Sequence, residues 1–116
     1  MKRPIVHFEI GCSNLPETID FYKKTFDWDI AQHGSSAAID TGVTGAIPGH
    51  LNQLTPPDPQ KYVTVYIETD ELDKDLEKVV ANGGKVFVNP VQLPDGRTFA
   101  WFEDTSGNLM GLITPK

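Results

Sequence analysis

The feature that most constrains this chain is an internal duplication. Shifting the first half by 57 residues lays Phe8 on Val65, Ile10 on Ile67, Leu15 on Leu72, Ile19 on Leu76, Tyr22 on Val79 and Ile30 on Phe87. The matched positions are apolar and follow the same order in each half, a strand-like alternation and then a helical stripe. A module of about 55 residues leaves one sheet face uncovered and is marginal alone, so two copies are expected to fold together. Between the copies lies Thr55-Pro56-Pro57-Asp58-Pro59-Gln60, whose three prolines mark an extended, semi-rigid connection. The expected organisation is one domain over 1–116, with module one at 1–54, a Pro-rich linker at 55–60 and module two at 61–116.

Within each half the local signals repeat. Ile5–Ile10 alternates as a strand, with Val6, Phe8 and Ile10 on one face and Ile5, His7 and Glu9 on the other. Asn14-Leu15-Pro16-Glu17 reads as a helix start, and Leu15, Ile19, Tyr22 and Phe26 form one helical stripe. Strands are expected over 28–32 and 37–41, while 42–54 is Gly-punctuated and only weakly strand-like. In the second half 62–68 alternates, Asp70 and Glu71 are placed to cap a helix ending at Asn82-Gly83-Gly84, and strands follow at 85–88, 97–103 and 109–114. Asp95-Gly96 is a hairpin signal.

Composition narrows the function classes. Sixteen Asp+Glu against ten Lys+Arg give a formal charge of −6, which argues against a nucleic-acid partner, because phosphate affinity needs clustered cations. One cysteine, Cys12, excludes an internal disulfide framework and any multi-cysteine zinc site; a buried, inert thiol is the preferred reading. No stretch has the length and apolarity of a bilayer span, and the basic start at Lys2-Arg3 is not followed by a signal-peptide core. A soluble cytoplasmic protein without a membrane partner is expected.

At this point the residues resemble a family. His7-Phe8-Glu9-Ile10, Asn14-Leu15, Ile19-Asp20-Phe21-Tyr22 and Phe26-Asp27-Trp28 are similar to the opening of vicinal oxygen chelate proteins, the superfamily of glyoxalase I, extradiol dioxygenases and the bleomycin- and fosfomycin-resistance proteins. Asn82-Gly83-Gly84-Lys85-Val86 and Phe102-Glu103-Asp104-Thr105-Ser106-Gly107-Asn108-Leu109 carry the likeness through the second half. The resemblance implies an α+β fold of two tandem βαβββ modules, their mixed sheet curved into a cup with helices outside, often completed between two subunits of a homodimer.

It also implies where a metal would sit, on the first and last strands of each module. His7 fills the first such position, and the repeat places Thr64 at its counterpart. In the last strand of module two the family's glutamate position falls on Gly111, and its counterpart in module one is read as Gly49, within a residue or two. One ligand in four does not make a divalent site, so no metal and no cofactor are expected; Glu9 and His50 are the residues that would rebuild an irregular one.

The candidate ligand-binding residues follow from the polar strand faces. His7 and Glu9 share one face and either line a wet cavity or pair with each other structurally, readings weighed evenly. Thr64, Tyr66 and Glu68 repeat the polar pattern on the matching strand, His50 neighbours the last-strand position of module one, and Trp101 shares a strand face with Phe99. The function expected is binding of a small organic molecule, cationic or aromatic, in a metal-free cup, in the manner of bleomycin-resistance sequestration. The alternative is a divalent-metal-dependent lyase, isomerase or dioxygenase with an irregular site on His7, Glu9 and His50, or acid–base chemistry without metal.

Overall fold

A computed structural model describes residues 2–57 and 61–116, so the expected linker at 55–60 lies partly outside the described residues. The chain forms two compact units, His7–Val63 and the pair of segments Met1–Val6 and Thr64–Lys116. The elements run β1 (Ile5–Cys12), α1 (Leu15–Phe26), β2 (Asp29–His33), β3 (Ser36–Asp40), β4 (Gly49–Gln53), β5 (Tyr62–Glu68), α2 (Leu72–Ala81), β6 (Lys85–Gln92), β7 (Thr98–Glu103) and β8 (Leu109–Ile113). This is βαβββ twice, an α+β architecture.

In the first unit the strands lie in the order β1-β4-β3-β2, with β1 and β4 parallel and the remaining pairs antiparallel. The second repeats it as β5-β8-β7-β6, with β5 and β8 parallel. A parallel pair needs a crossover, which the intervening helix and hairpin supply in each unit.

The segment 42–54, only weakly strand-like as sequence, contains β4, a central strand of its unit. Gly49, His50, Leu51, Asn52 and Gln53 include no β-branched residue, yet β1 and β3 supply backbone partners on both sides, and Leu51 is fully buried. β6 runs through Pro90, which is tolerated because β6 is terminal in its unit's order and its register against β7 is irregular.

Each helix covers one sheet face. In the first unit Leu15 packs with Cys12, Ala37, Ile39 and Leu51, flanked by Phe8, Ile10, Ile19, Tyr22, Trp28 and Ile30. In the second, Leu72 and Leu76 pack with Ala100 and Leu112, flanked by Ile67, Val86 and Phe102. The expected equivalence of Ile30 with Phe87 is corrected: Val86 faces this core and Phe87 is 46% exposed, so the repeat slips by one residue at that strand.

The helix starts differ. Asn14 accepts the Glu17 N–H at 3.1 Å, as its N-cap position predicts. Of the expected caps of α2, Glu71 holds the N-cap position but makes no side-chain capping bond; Thr69 Oγ1 accepts the Glu71 N–H at 3.0 Å, while Arg3 draws Asp70 and Glu71 to 3.3 and 3.6 Å. No helix among the described residues is long and apolar enough to cross a membrane.

Candidate functional site

Alternation along β1 turns Phe8 and Ile10 toward α1 and leaves His7 and Glu9 on the opposite face. The parallel register pairs Glu9 with His50 and Ile10 with Leu51, so β4 sends Leu51 to the core and His50 to the same face as Glu9. The polar side chains then join into one chain. His7 Nε2 lies 2.7 Å from His50 Nδ1, and His50 Nε2 lies 3.1 Å from Glu9 Oε1. Tyr62 donates its hydroxyl proton to Glu9 Oε2, and Asn52 Nδ2 donates to the Tyr62 oxygen at 3.2 Å.

Glu9 is 4% exposed, whereas the His50 side chain is 29% exposed. A carboxylate this buried requires hydrogen bonds to both oxygens, and Tyr62 and His50 supply them. Gly11 makes the arrangement possible, because a Cβ there would stand 2.5 Å from Tyr62 Cε2. Sequence reasoning missed Tyr62 and Asn52. The available signal was their spacing, since Tyr62 lies two residues before Thr64 on an alternating strand and Asn52 two after His50.

The second unit keeps the strand pattern with different chemistry. Trp101 Nε1 donates to the Tyr66 hydroxyl at 2.8 Å, and both rings are buried. Phe99 meets Tyr66 edge-on at 6.4 Å between centroids, and the exposed Phe87 stacks on Trp101 at 6.3 Å. Thr64 is 3% exposed and its hydroxyl donates to the Leu109 carbonyl at 2.8 Å. Glu68 is half-buried at the end of β5, where its backbone N–H donates to Pro4 O at 2.8 Å. The structure thus joins His7, Glu9 and His50 in one unit and Tyr66 and Trp101 in the other.

The ladders also fix the equivalence that the sequence left open by a residue or two. Tyr66 pairs with Gly111 in the second unit just as Glu9 pairs with His50 in the first, so the counterpart of Gly111 is His50 rather than Gly49. Gly49 instead leaves room for the Phe8 ring, whose Cε2 would lie 2.5 Å from a Cβ at that position.

The sequence profile of the Glyoxalase/Bleomycin resistance protein/Dioxygenase superfamily matches residues 4–112. The chain belongs to that superfamily. An uncharacterised protein of Shewanella frigidimarina is 30% identical over 128 residues, covering 97% of this chain and 94% of its own. Among solved structures, a hypothetical protein from Bacillus halodurans superposes with a TM-score of 0.74 at 15% identity, covering 100% of this chain and 96% of the other. A variant methylmalonyl-CoA epimerase from Streptomyces coelicolor, bound to 2-nitronate-propionyl-CoA, gives 0.68 at 22% identity with 95% of each chain covered. These two structural likenesses concern the glyoxalase-superfamily fold.

The superfamily's chelate chemistry can be tested on the donors present. The resemblance puts its four ligand positions at His7 and Thr64 on the first strands and, by the register of the parallel pairs, at His50 and Gly111 on the last. Gly111 has no side-chain donor, and Tyr66's ring occupies the space a side chain would enter. Thr64's hydroxyl is engaged with a backbone carbonyl, and the two imidazoles face each other at hydrogen-bond distance. Among the described residues no group of three or more His, Cys, Asp or Glu is arranged to hold a metal ion. The residues therefore do not fit a glyoxalase-type divalent centre.

Proposed function

We propose that this superfamily member binds a small organic molecule at the polar face of β1 and β4 and does so without a divalent ion. One observation carries the reading. The imidazoles at two chelate positions, His7 and His50, lie at hydrogen-bond distance from each other, His50 also meets Glu9, and the other two positions hold a threonine and a glycine. Such a face recognises donors and acceptors of a ligand. Both Glu9 oxygens already face donors from the chain, so a cationic guest draws little from this carboxylate. A homodimer, as the family resemblance implies, and a cytoplasmic location complete the proposal.

Native mass spectrometry of untagged protein purified without chelator tests it. A dimer free of stoichiometric metal, with any organic adduct displaced from a Glu9→Gln variant, is the expected result. About one divalent ion per subunit, lost on His7→Ala, would overturn the metal-free reading.

A second reading is an acid–base enzyme that works without metal. The buried Glu9 between His50 and Tyr62 favours it, because carboxylates in such surroundings serve as proton acceptors in enzymes. Catalytic turnover of the isolated ligand, abolished in Glu9→Gln, separates it from simple binding.

A further inference from the structure

The motif Asn82-Gly83-Gly84, which ends α2, carries chemistry of its own. An asparagine followed by glycine is open to attack by the next backbone nitrogen, because glycine has no side chain to crowd the five-membered ring that forms. Asn82 alone among the asparagines has this neighbour. Asn14, Asn52 and Asn108 precede Leu15, Gln53 and Leu109, and Asn89 precedes Pro90, whose nitrogen has no proton to lose. The fold keeps the two reacting groups of Asn82 apart. Its Nδ2 donates to the Lys78 carbonyl at 2.8 Å, and the Gly83 N–H donates to the Val80 carbonyl at 3.2 Å. Ring closure needs the Gly83 nitrogen to eclipse Asn82 Cβ about the Cα–C bond; with ψ at 14° it lies near the Asn82 nitrogen instead.

We propose that Asn82 is a self-modifying site gated by the end of α2: it deamidates when the last turn opens, and the product cannot restore the cap. The Gly83 nitrogen gives its proton to a solvent base and bonds to Asn82 Cγ, while Nδ2 leaves as ammonia with a proton from water. Water then opens the succinimide at one carbonyl or the other, giving aspartate or isoaspartate. Nothing is oxidised or reduced.

Two features make the step one-way. Either product exchanges a donor for a carboxylate, so the Lys78 carbonyl loses its partner at Nδ2 and a negative charge stands at the helix C-terminus, where the macrodipole opposes it. Isoaspartate also adds a methylene to the main chain just before Gly83, and that turn has no slack. A Cβ on Gly84 would stand 2.6 Å from the Glu103 carbonyl oxygen and 2.8 Å from Val79 Cγ1. The bond from the Gly84 N–H to the Val79 carbonyl, at 2.8 Å, depends on the same spacing, so the longer link displaces it. The last turn thereby loses donors that its carbonyls need. None of these residues belongs to the polar face of β1 and β4, so the site is independent of the ligand proposed there.

Peptide mapping by mass spectrometry of the full chain, incubated in buffer and in urea and sampled over time, is the test. Conversion should be confined to the peptide holding Asn82. It should run slower in buffer than in urea by about tenfold or more, the factor by which the folded end of α2 stays closed. Gly84→Ala, which crowds the Glu103 carbonyl, should bring the rate in buffer toward the urea rate and leave the urea rate unchanged. Equal wild-type rates in buffer and urea, or a folded Gly84→Ala protein no faster than wild type, would overturn the gate. Faster conversion at Asn14, Asn52, Asn89 or Asn108 would overturn the site.

Hydrogen exchange then reads the product. Protein converted in urea and refolded should exchange the Gly83 and Gly84 amides faster than unconverted protein carried through the same treatment, with α1 unaffected. Asn82→Asp separates the two causes, since it carries the charge without the added methylene and should weaken protection less than isoaspartate does. Unaltered protection at Gly83 and Gly84 in the converted protein would overturn the one-way step. Where Gly84→Ala fails to fold, the wild-type rates and this exchange still decide between the outcomes.

Discussion

Gly111 is where the superfamily carries a metal-binding carboxylate, and its missing side chain is a packing requirement of this chain. Tyr66, directly opposite on β5, places its ring where a Cβ would go. Gly111→Glu should therefore destabilise the fold by about 1–3 kcal/mol through overpacking instead of restoring a ligand. Gly111→Ala should lose most of the same amount, and equal urea midpoints for Gly111→Ala and wild type would refute the steric account. Cys12 supplies a second residue-level expectation. Burial pushes its thiol upward against a smaller opposing effect from Thr18, so the thiolate is scarce near neutral pH. Its reaction with a disulfide reagent should be slow in the native protein and fast in urea. The alternation of His7 and Glu9 was legible because a strand has period two. Tyr62 was not, because it stands at the first position of its strand and its partner Glu9 lies far away in sequence.

At the scale of elements, the two helices show how similar local signals resolve differently. Asn14 bonds Glu17 and begins α1 as its sequence indicates, so Asn14→Ala should cost about 1 kcal/mol, read by chemical denaturation. Asp70 and Glu71 carry the same kind of signal, but a distant group intervenes. Arg3 gathers Asp70, Glu71 and Asp75, so Glu71 stands at the N-cap without a side-chain capping bond, and its own N–H is met by Thr69 Oγ1. Burial alone would raise the Asp75 carboxyl; hydrogen bonds from Thr69 and Arg3, with the charges of Arg3 and Lys78, outweigh it and hold the carboxyl below its ordinary value. A group depressed in the folded state contributes its stability above the unfolded value and loses it as pH falls through the folded one. Arg3→Ala should thus lower the melting temperature at neutral pH, with the gap to wild type narrowing in acid. A gap constant across that range would show that Arg3 acts by packing alone. β4 escaped sequence reading for a related reason, since its pairing with β1 and β3 makes it a strand despite its composition.

At the scale of the whole molecule, the duplication preserved what each unit needs to fold and released what it does not. Leu15, Ile19 and Leu51 in one half answer to Leu72, Leu76 and Leu112 in the other, so both helix-covered faces keep apolar residues at matched places. The opposite faces have diverged, one into an ionisable chain from His7 to Tyr62, the other into the group of Tyr66, Phe99 and Trp101. That pattern made the fold legible from sequence, because core positions recur with the repeat. Function was less legible, because the chemistry sits where the copies differ. The same divergence yields a thermodynamic expectation for the intact protein. A ligand that binds only the folded chain, present at a hundred times its dissociation constant, adds about 2.7 kcal/mol of stability. For a domain of this size that corresponds to a rise of roughly 10 °C or more in melting temperature. With Thr64 and Gly111 at two chelate positions, and the His7 and His50 rings bonded to one another, no such gain should arise from Ni, Zn, Mg or Mn. Melting curves in excess metal and in excess chelator should superimpose, both for wild type and for His7→Ala. A rise confined to wild type would show that the imidazoles part to take an ion, and the His7–His50 contact would then describe only the metal-free form.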